Sequence, residues 1–153
     1  MAAREPINDL DLSRWREYDD VLTDSLWLLG KRDNHGAHKP DYWGNFAPQI
    51  PYQAMRRFTR QGECVLDAFA GLGTTLIEAR RLGRHAIGVE LNPTVAEAAR
   101  ERMEAQPNPH SVQTLFLQGD SAHPDTAERV RCQLKAWGFE QAHLLILHPP
   151  YHD

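Results

Sequence analysis

Four aliphatic runs of strand length divide the chain: CVLDAF (64–69), HAIGVEL (85–91), TLFLQGD (114–120) and HLLILHP (143–149). Helical patterns fill the intervals. Residues 74–82 follow Gly73, and 93–103 open with Asn92 as an N-cap and Pro93 at the first helical position. Between 125 and 138, Ala127, Val130, Leu134 and Trp137 recur at helical spacing and form one apolar stripe. Upstream, IPYQAMRRFTRQG predicts a short helix with Pro51 in its first turn and Gly62 past its end. Alternating strands and helices imply right-handed crossovers and a parallel sheet, an α/β fold of the doubly wound kind.

The first 45 residues break this regularity. An acidic, Trp-containing segment runs into KRDNHGAHKPDYWGNFAP, where Gly and Pro oppose long elements. The organisation expected is a loop-rich segment over 1–45 and one α/β domain over 46–153.

With 153 residues, 41% of them hydrophobic, the chain can build one real core. No run approaches the roughly 18 apolar residues of a membrane span, and the N-terminus lacks the apolar stretch of a secretory signal, so a cytoplasmic protein without a membrane partner is expected. Cys64 and Cys132 lack metal or redox spacing and are expected to be buried thiols. The net charge of -4 arises in the first 24 residues, where Glu5, Asp9, Asp11, Glu17, Asp19, Asp20 and Asp24 outnumber Arg4, Arg14 and Arg16. The remainder is balanced and gives no polyanion footprint by itself.

Candidate chemistry begins at the turn after the first strand. Gly71 and Gly73 stand where strand becomes helix, which lets the backbone turn tightly and approach a ligand. Glu90, 17 residues beyond Gly73, ends the second strand, where a carboxylate can accept from both hydroxyls of a ribose. Together they describe an adenosine pocket. A nicotinamide dinucleotide is disfavoured because Leu76 occupies the place of the third small residue, and no Walker lysine follows. Asp120 ends the third strand and suits either an adenine amino group or a turn. Asp67, just before the turn, is costly as an unpaired core carboxylate, and an ammonium partner would repair that.

These residues resemble the S-adenosyl-L-methionine-dependent DNA methyltransferases that modify the exocyclic amines of adenine or cytosine. DAFAGLGTT is similar to that family's first motif, with Ala68 in place of the common Pro. GRHAIGVELNP resembles the second, Gly119-Asp120 the third, and HPPY (148–151) the fourth, in which Asp, Asn or Ser usually stands where His148 does. WGNFAPQIPYQAMRRFT resembles the segment beside the cofactor. The resemblance implies a Rossmann-like sheet of order 3-2-1-4. It places Asp67, Phe69, Gly71, Gly73 and Thr74 around the methionine part of the cofactor, Glu90 on the ribose and Asp120 on the adenine.

In such a sheet, ligands collect at the carboxyl ends of the strands where the order reverses. Strands one and four flank that point, so the glycine turn and HPPY are expected to share one crevice. A base amine is a weak nucleophile, and its transfer needs acceptors and in-line placement rather than a covalent intermediate. The Pro149 carbonyl and the His148 side chain would accept, within a turn stiffened by Pro150, while Tyr151 would stack on a base flipped from the duplex. If His148 accepts, transfer with saturating cofactor and DNA falls as acid protonates the ring; a rate flat from about pH 5 to 8 rejects that role.

The run LLIL suits a strand with neighbours on both sides, yet no later strand is present to cover it. The expectation is therefore the cofactor-binding, N-terminal portion of a longer or split enzyme, with a possible partner chain supplying the rest. Two rivals remain: an RNA methyltransferase acting on a guanine amine, and a noncatalytic subunit that docks through strand four. Thr74-Thr75 and FAPQIP favour the DNA group over the first.

Overall fold

A computed structural model describes residues 6–39 and 45–150. Its core is a parallel sheet of β1 (Cys64–Asp67), β2 (His85–Glu90), β3 (Thr114–Gln118) and β4 (Leu144–Ile146), in the order β3-β2-β1-β4. Val65 pairs with Ala86 on one side and Leu144 on the other, so β1 is central and β4 an edge. The helices are α1 (Gln49–Phe58), α2 (Thr74–Leu82), α3 (Pro93–Ala105) and α4 (Pro124–Ala136). This is the doubly wound architecture, with the predicted order.

Strand alternation sends one set of side chains to each face. On one, Met55, Val65, Leu76, Ile77, Ala86, Ala99 and Phe116 join α1, α2 and α3 to the sheet. On the other, Cys64, Ile87 and Val89 meet Val130 and Leu134 of α4. Asn92 caps α3 as expected, its side chain accepting from the Thr94 and Val95 N–H groups.

Each strand ends before its aliphatic run does. The ladder stops at Asp67, Glu90, Gln118 and Ile146, and the remaining residues of the runs turn out onto the rim where the candidate site lies. Helices α3 and α4 also shift, α3 running on to Ala105 and α4 starting at Pro124. A second correction concerns Cys132, which is exposed rather than buried. It lies two residues beyond Val130 on α4, about 200° around the helix, and therefore points away from the stripe. Cys64 is buried in β1, which pushes its thiol up to about 12.

Residues 6–39 contain a 3-10 helix (Leu12–Glu17) and otherwise irregular backbone that lies along α1 like a strap. At the end of the molecule where β2 begins, Asn8 Nδ2 donates to the Arg57 carbonyl (2.8 Å) and Asp9 accepts from Arg84 Nη2 (2.7 Å). Arg84 is 1% exposed; burial lowers its pKa, and Asp9 together with the Thr59 carbonyl and hydroxyl satisfies the guanidinium. Further along, the Leu22 N–H donates to Gln53 Oε1 (2.9 Å) and Arg56 pairs with Asp20 (3.2 Å). Gln49 Nε2 then reaches the carbonyls of Leu29 and Lys31 (3.2 and 2.7 Å). Part of the acidic excess in the first 24 residues is thus spent on arginines of the domain it covers.

At the end of the strap, the Ala37 N–H donates to Gln106 Oε1 after α3 (3.0 Å), and His38 Nε2 meets Glu78 Oε1 of α2 at 2.6 Å, both side chains of that pair 1% exposed. Among the described residues no helix is long and apolar enough to cross a membrane.

Candidate active site

The carboxyl ends of β1, β2 and β3 and the turn after β4 surround a cavity of about 460 Å³, within the range of about 300–1,000 Å³ typical of small-molecule sites. Its wall contains Phe69, Gly71, Thr74, Glu90, Asp120, His148, Pro149 and Pro150. The glycine turn and the His-Pro-Pro turn therefore share one space, as the topology required. Tyr151 lies outside the described residues.

Two predicted residues stand behind the wall. Asp67 is 1% exposed and does not line the cavity; it accepts from the Phe69 N–H (2.9 Å) and from the Thr75 hydroxyl. Burial pushes its carboxyl above the ordinary value of 3.8, against those two donors and the field of His148. Asp67 thus shapes the turn and places a desolvated acid just beneath it. Gly73 is also buried, with φ 84° and ψ 25°, and a Cβ there would meet Phe116 Cζ at 2.6 Å. It allows the turn to close onto the core.

Glu90 is set before any ligand arrives. One carboxylate oxygen accepts from the Gly71 N–H (3.0 Å) and the other from the Asn92 N–H (2.9 Å). Each oxygen keeps a second lone pair for a hydroxyl. Gly88, in the middle of β2, has the same logic as Gly73: a Cβ would stand 2.8 Å from that of Ala70 and 2.9 Å from Leu76 Cδ1, so its absence lets the glycine turn pack on β2.

Asp120 has the turn role weighed for it and also stands at the cavity. Oδ1 accepts from the Ala122 N–H (2.8 Å), a local turn, yet the side chain lines the cavity and Oδ2 has no hydrogen-bond partner among the described residues. Its neighbour Ser121 donates its hydroxyl to the Ala68 carbonyl, tying the loop after β3 to the loop after β1. The Ala68 N–H in turn donates to the Ile146 carbonyl (3.3 Å), a bond that a proline at this position could not make.

Asn45 and Phe46, from the segment WGNFAPQIPYQAMRRFT that the resemblance placed beside the cofactor, also line the cavity, as do Leu91 and Ser121, which the sequence did not single out. Leu91, next to Glu90, lies past the ladder and is 64% exposed, so it has no core to fill. Phe46 comes from the irregular segment before α1, and its ring lies 4.8 Å from that of His148, tilted by 52°.

The polar side chains at the wall are chiefly acceptors, on an acidic, partly apolar floor. Two carboxylates face the cavity, a third lies beneath it, and Phe69 and Leu91 offer flat apolar surface. A cationic ligand with a ribose and an adenine fits these groups.

Comparison with known proteins gives a concordant picture. Residues 3–101 match the sequence model of the N6/N4 DNA methylase family. The type II methyltransferase M2.DpnII of Streptococcus pneumoniae is 32% identical over 98 residues, which are 63% of this chain and 34% of that protein. Among solved structures, TrmN from Thermus thermophilus superposes with a TM-score of 0.51 at 25% identity, covering 70% of this chain and 29% of that one. A second Thermus thermophilus protein, described as a DNA modification methylase and complexed with S-adenosyl-L-methionine, is 43% identical over 48% of this chain and 30% of its own, with a TM-score of 0.42. This chain spans about a third or less of the length of the curated relatives it matches.

Proposed function

The chain belongs to the N6/N4 DNA methylase family, and from that premise we propose that its cavity binds S-adenosyl-L-methionine for methyl transfer to an exocyclic amine of adenine or cytosine in DNA. The observation that carries this reading is the shared cavity: a ribose-type acid, Glu90, and the His148-Pro149-Pro150 turn open onto one space. When bound, the cofactor supplies the activated methyl group. Glu90 accepts from the ribose hydroxyls, and Asp120 accepts from the adenine amine through Oδ2. Phe69, Gly71 and Thr74 enclose the methionine part, with Asp67 and Gly73 holding the turn from behind.

At the reacting end, the Pro149 carbonyl and the His148 ring accept the hydrogens of the target amine, which keeps its lone pair directed at the methyl group. Tyr151 stacks on the flipped base. The rest of the sheet and the surface that reads base edges come from further polypeptide, in the same chain or in a partner. Two facts support this: the relatives' greater length, and β4 as an edge strand, with Leu145 in it and Leu147 just past it 53% and 59% exposed.

Isothermal titration with S-adenosyl-L-methionine tests the pocket. Glu90→Ala removes two acceptors of charge-assisted hydrogen bonds and weakens binding by about 10–100-fold, while Glu90→Gln, which keeps one carbonyl oxygen, loses less. Equal heats for wild type and Glu90→Ala would overturn the assignment.

A further inference from the structure

Most of the cavity wall is built by the rim of the sheet, but Asn45 and Phe46 are not, and something else must hold them there. That residue is Arg32. Its Nη1 donates to the carbonyls of Asn45 (3.1 Å) and Phe46 (2.9 Å). The backbone on either side of Arg32 is fixed to the first turn of α1: Gln49 Nε2 donates to the Lys31 carbonyl, and the Asp33 N–H donates to Gln49 Oε1 (3.1 Å). The Asp33 carboxylate then meets Arg81 (3.2 Å), which shares Glu78 with the buried His38. The guanidinium is thus anchored through α1 and α2, and it ends at a wall that the strands do not supply.

Arg32 Nη2 is buried without a hydrogen-bond partner among the described residues. A buried, unsatisfied donor is costly, and a site that served stability alone would be better filled by an apolar side chain. What the guanidinium provides is position: one donor shared by two successive carbonyls fixes the peptide carrying Phe46, whose ring rests against His148.

We propose that Arg32 is a positioning residue of the methyl-transfer site, holding Phe46 against the His148 ring and thereby setting how that ring faces the cavity. Its link to methyl transfer rests on the function proposed above; its link to the His148 ring does not.

The test is the NMR signal of the His148 ring in the full chain, assigned with His148→Asn. The Phe46 ring current displaces this signal, and Phe46→Leu removes the displacement. Arg32→Ala is expected to lose most of it too, and Arg32→Lys, whose nitrogen stops one bond short of the Nη1 position, a large part, so the second variant carries the test if the first does not fold. Asp20→Asn loosens the strap elsewhere, at its pairing with Arg56; it is expected to lower the melting temperature and leave the His148 signal in place. A His148 signal unmoved in the folded arginine variants would overturn the proposal, as would an equal displacement in Asp20→Asn. Titration of Arg32→Lys with S-adenosyl-L-methionine should show binding weakened about fivefold, or roughly 1 kcal/mol. A wild-type chain that binds no cofactor would refute the functional reading instead, and the NMR comparison would still decide the role of Arg32.

Discussion

Asp67→Asn is expected to stabilise the free chain at neutral pH and to weaken S-adenosyl-L-methionine binding about tenfold, which is roughly 1.4 kcal/mol. The two effects have one cause. Burial raises the Asp67 carboxyl above its ordinary 3.8, so the folded chain binds this proton more tightly than the unfolded chain. By linkage, the ionised form then opposes folding: the cost is absent below the unfolded value and grows as pH rises through the folded one. Asparagine has no such titration. It can keep an acceptor for the Phe69 N–H and present its amide to the Thr75 hydroxyl. The melting temperatures of variant and wild type should therefore converge in acid and separate towards neutrality, with the variant higher. The cofactor is cationic, so its affinity for wild type should strengthen over the same pH window as Asp67 ionises, and the variant should lack that rise. A variant less stable at every pH, with unchanged affinity, would mean that the acid serves only the turn.

Gly73→Ala should be the most damaging small substitution in the glycine turn. A left-handed backbone costs an L-residue about 1–2 kcal/mol. The added Cβ would also stand 2.6 Å from Phe116 Cζ, in a core where Phe116 is 5% exposed. Overpacking of that kind costs about 1–3 kcal/mol. Together the terms predict a loss of about 2–5 kcal/mol, or roughly 10 °C in melting temperature by calorimetry. The steric part should couple to Phe116: in a Phe116→Leu background the alanine should cost less, because the shorter side chain leaves the space that the Cβ needs. An alanine variant as stable as wild type would show that the turn tolerates a side chain and that its glycine is not required by packing.

The parallel sheet and the common rim were legible because aliphatic runs, caps and glycines are local signals. Cys64 to Asp67 reads as a strand from its own composition, and Asn92-Pro93 reads as a helix start. Strand ends were less legible, since Phe69, Leu91 and Leu147 are as apolar as the ladder residues and only the tertiary structure shows that they leave it. The placement of Asp67 behind the wall could not be read either: one residue separates a side chain in the cavity from one beneath it. Arg32 had no local signal at all. It stands in an irregular segment, 13 residues before Asn45, and its role depends on α1 and α2 fixing both neighbours. The acidic strap was visible as charge, but its arginine partners lie 36 and 75 residues away.

The central claim is that the glycine turn and the His-Pro-Pro turn border one bound cofactor molecule, the first along its methionine part and the second at its methyl group. Nuclear Overhauser contacts from S-adenosyl-L-methionine carrying a carbon-13 methyl group measure this directly. Expected are contacts from the methyl group to Pro149 and the Phe46 ring, from the methionine chain of the same bound molecule to Gly71, and from its ribose protons to Glu90 and Leu91. Ribose contacts with the methyl group directed away from Pro149, or binding with none of these contacts, would contradict the claim.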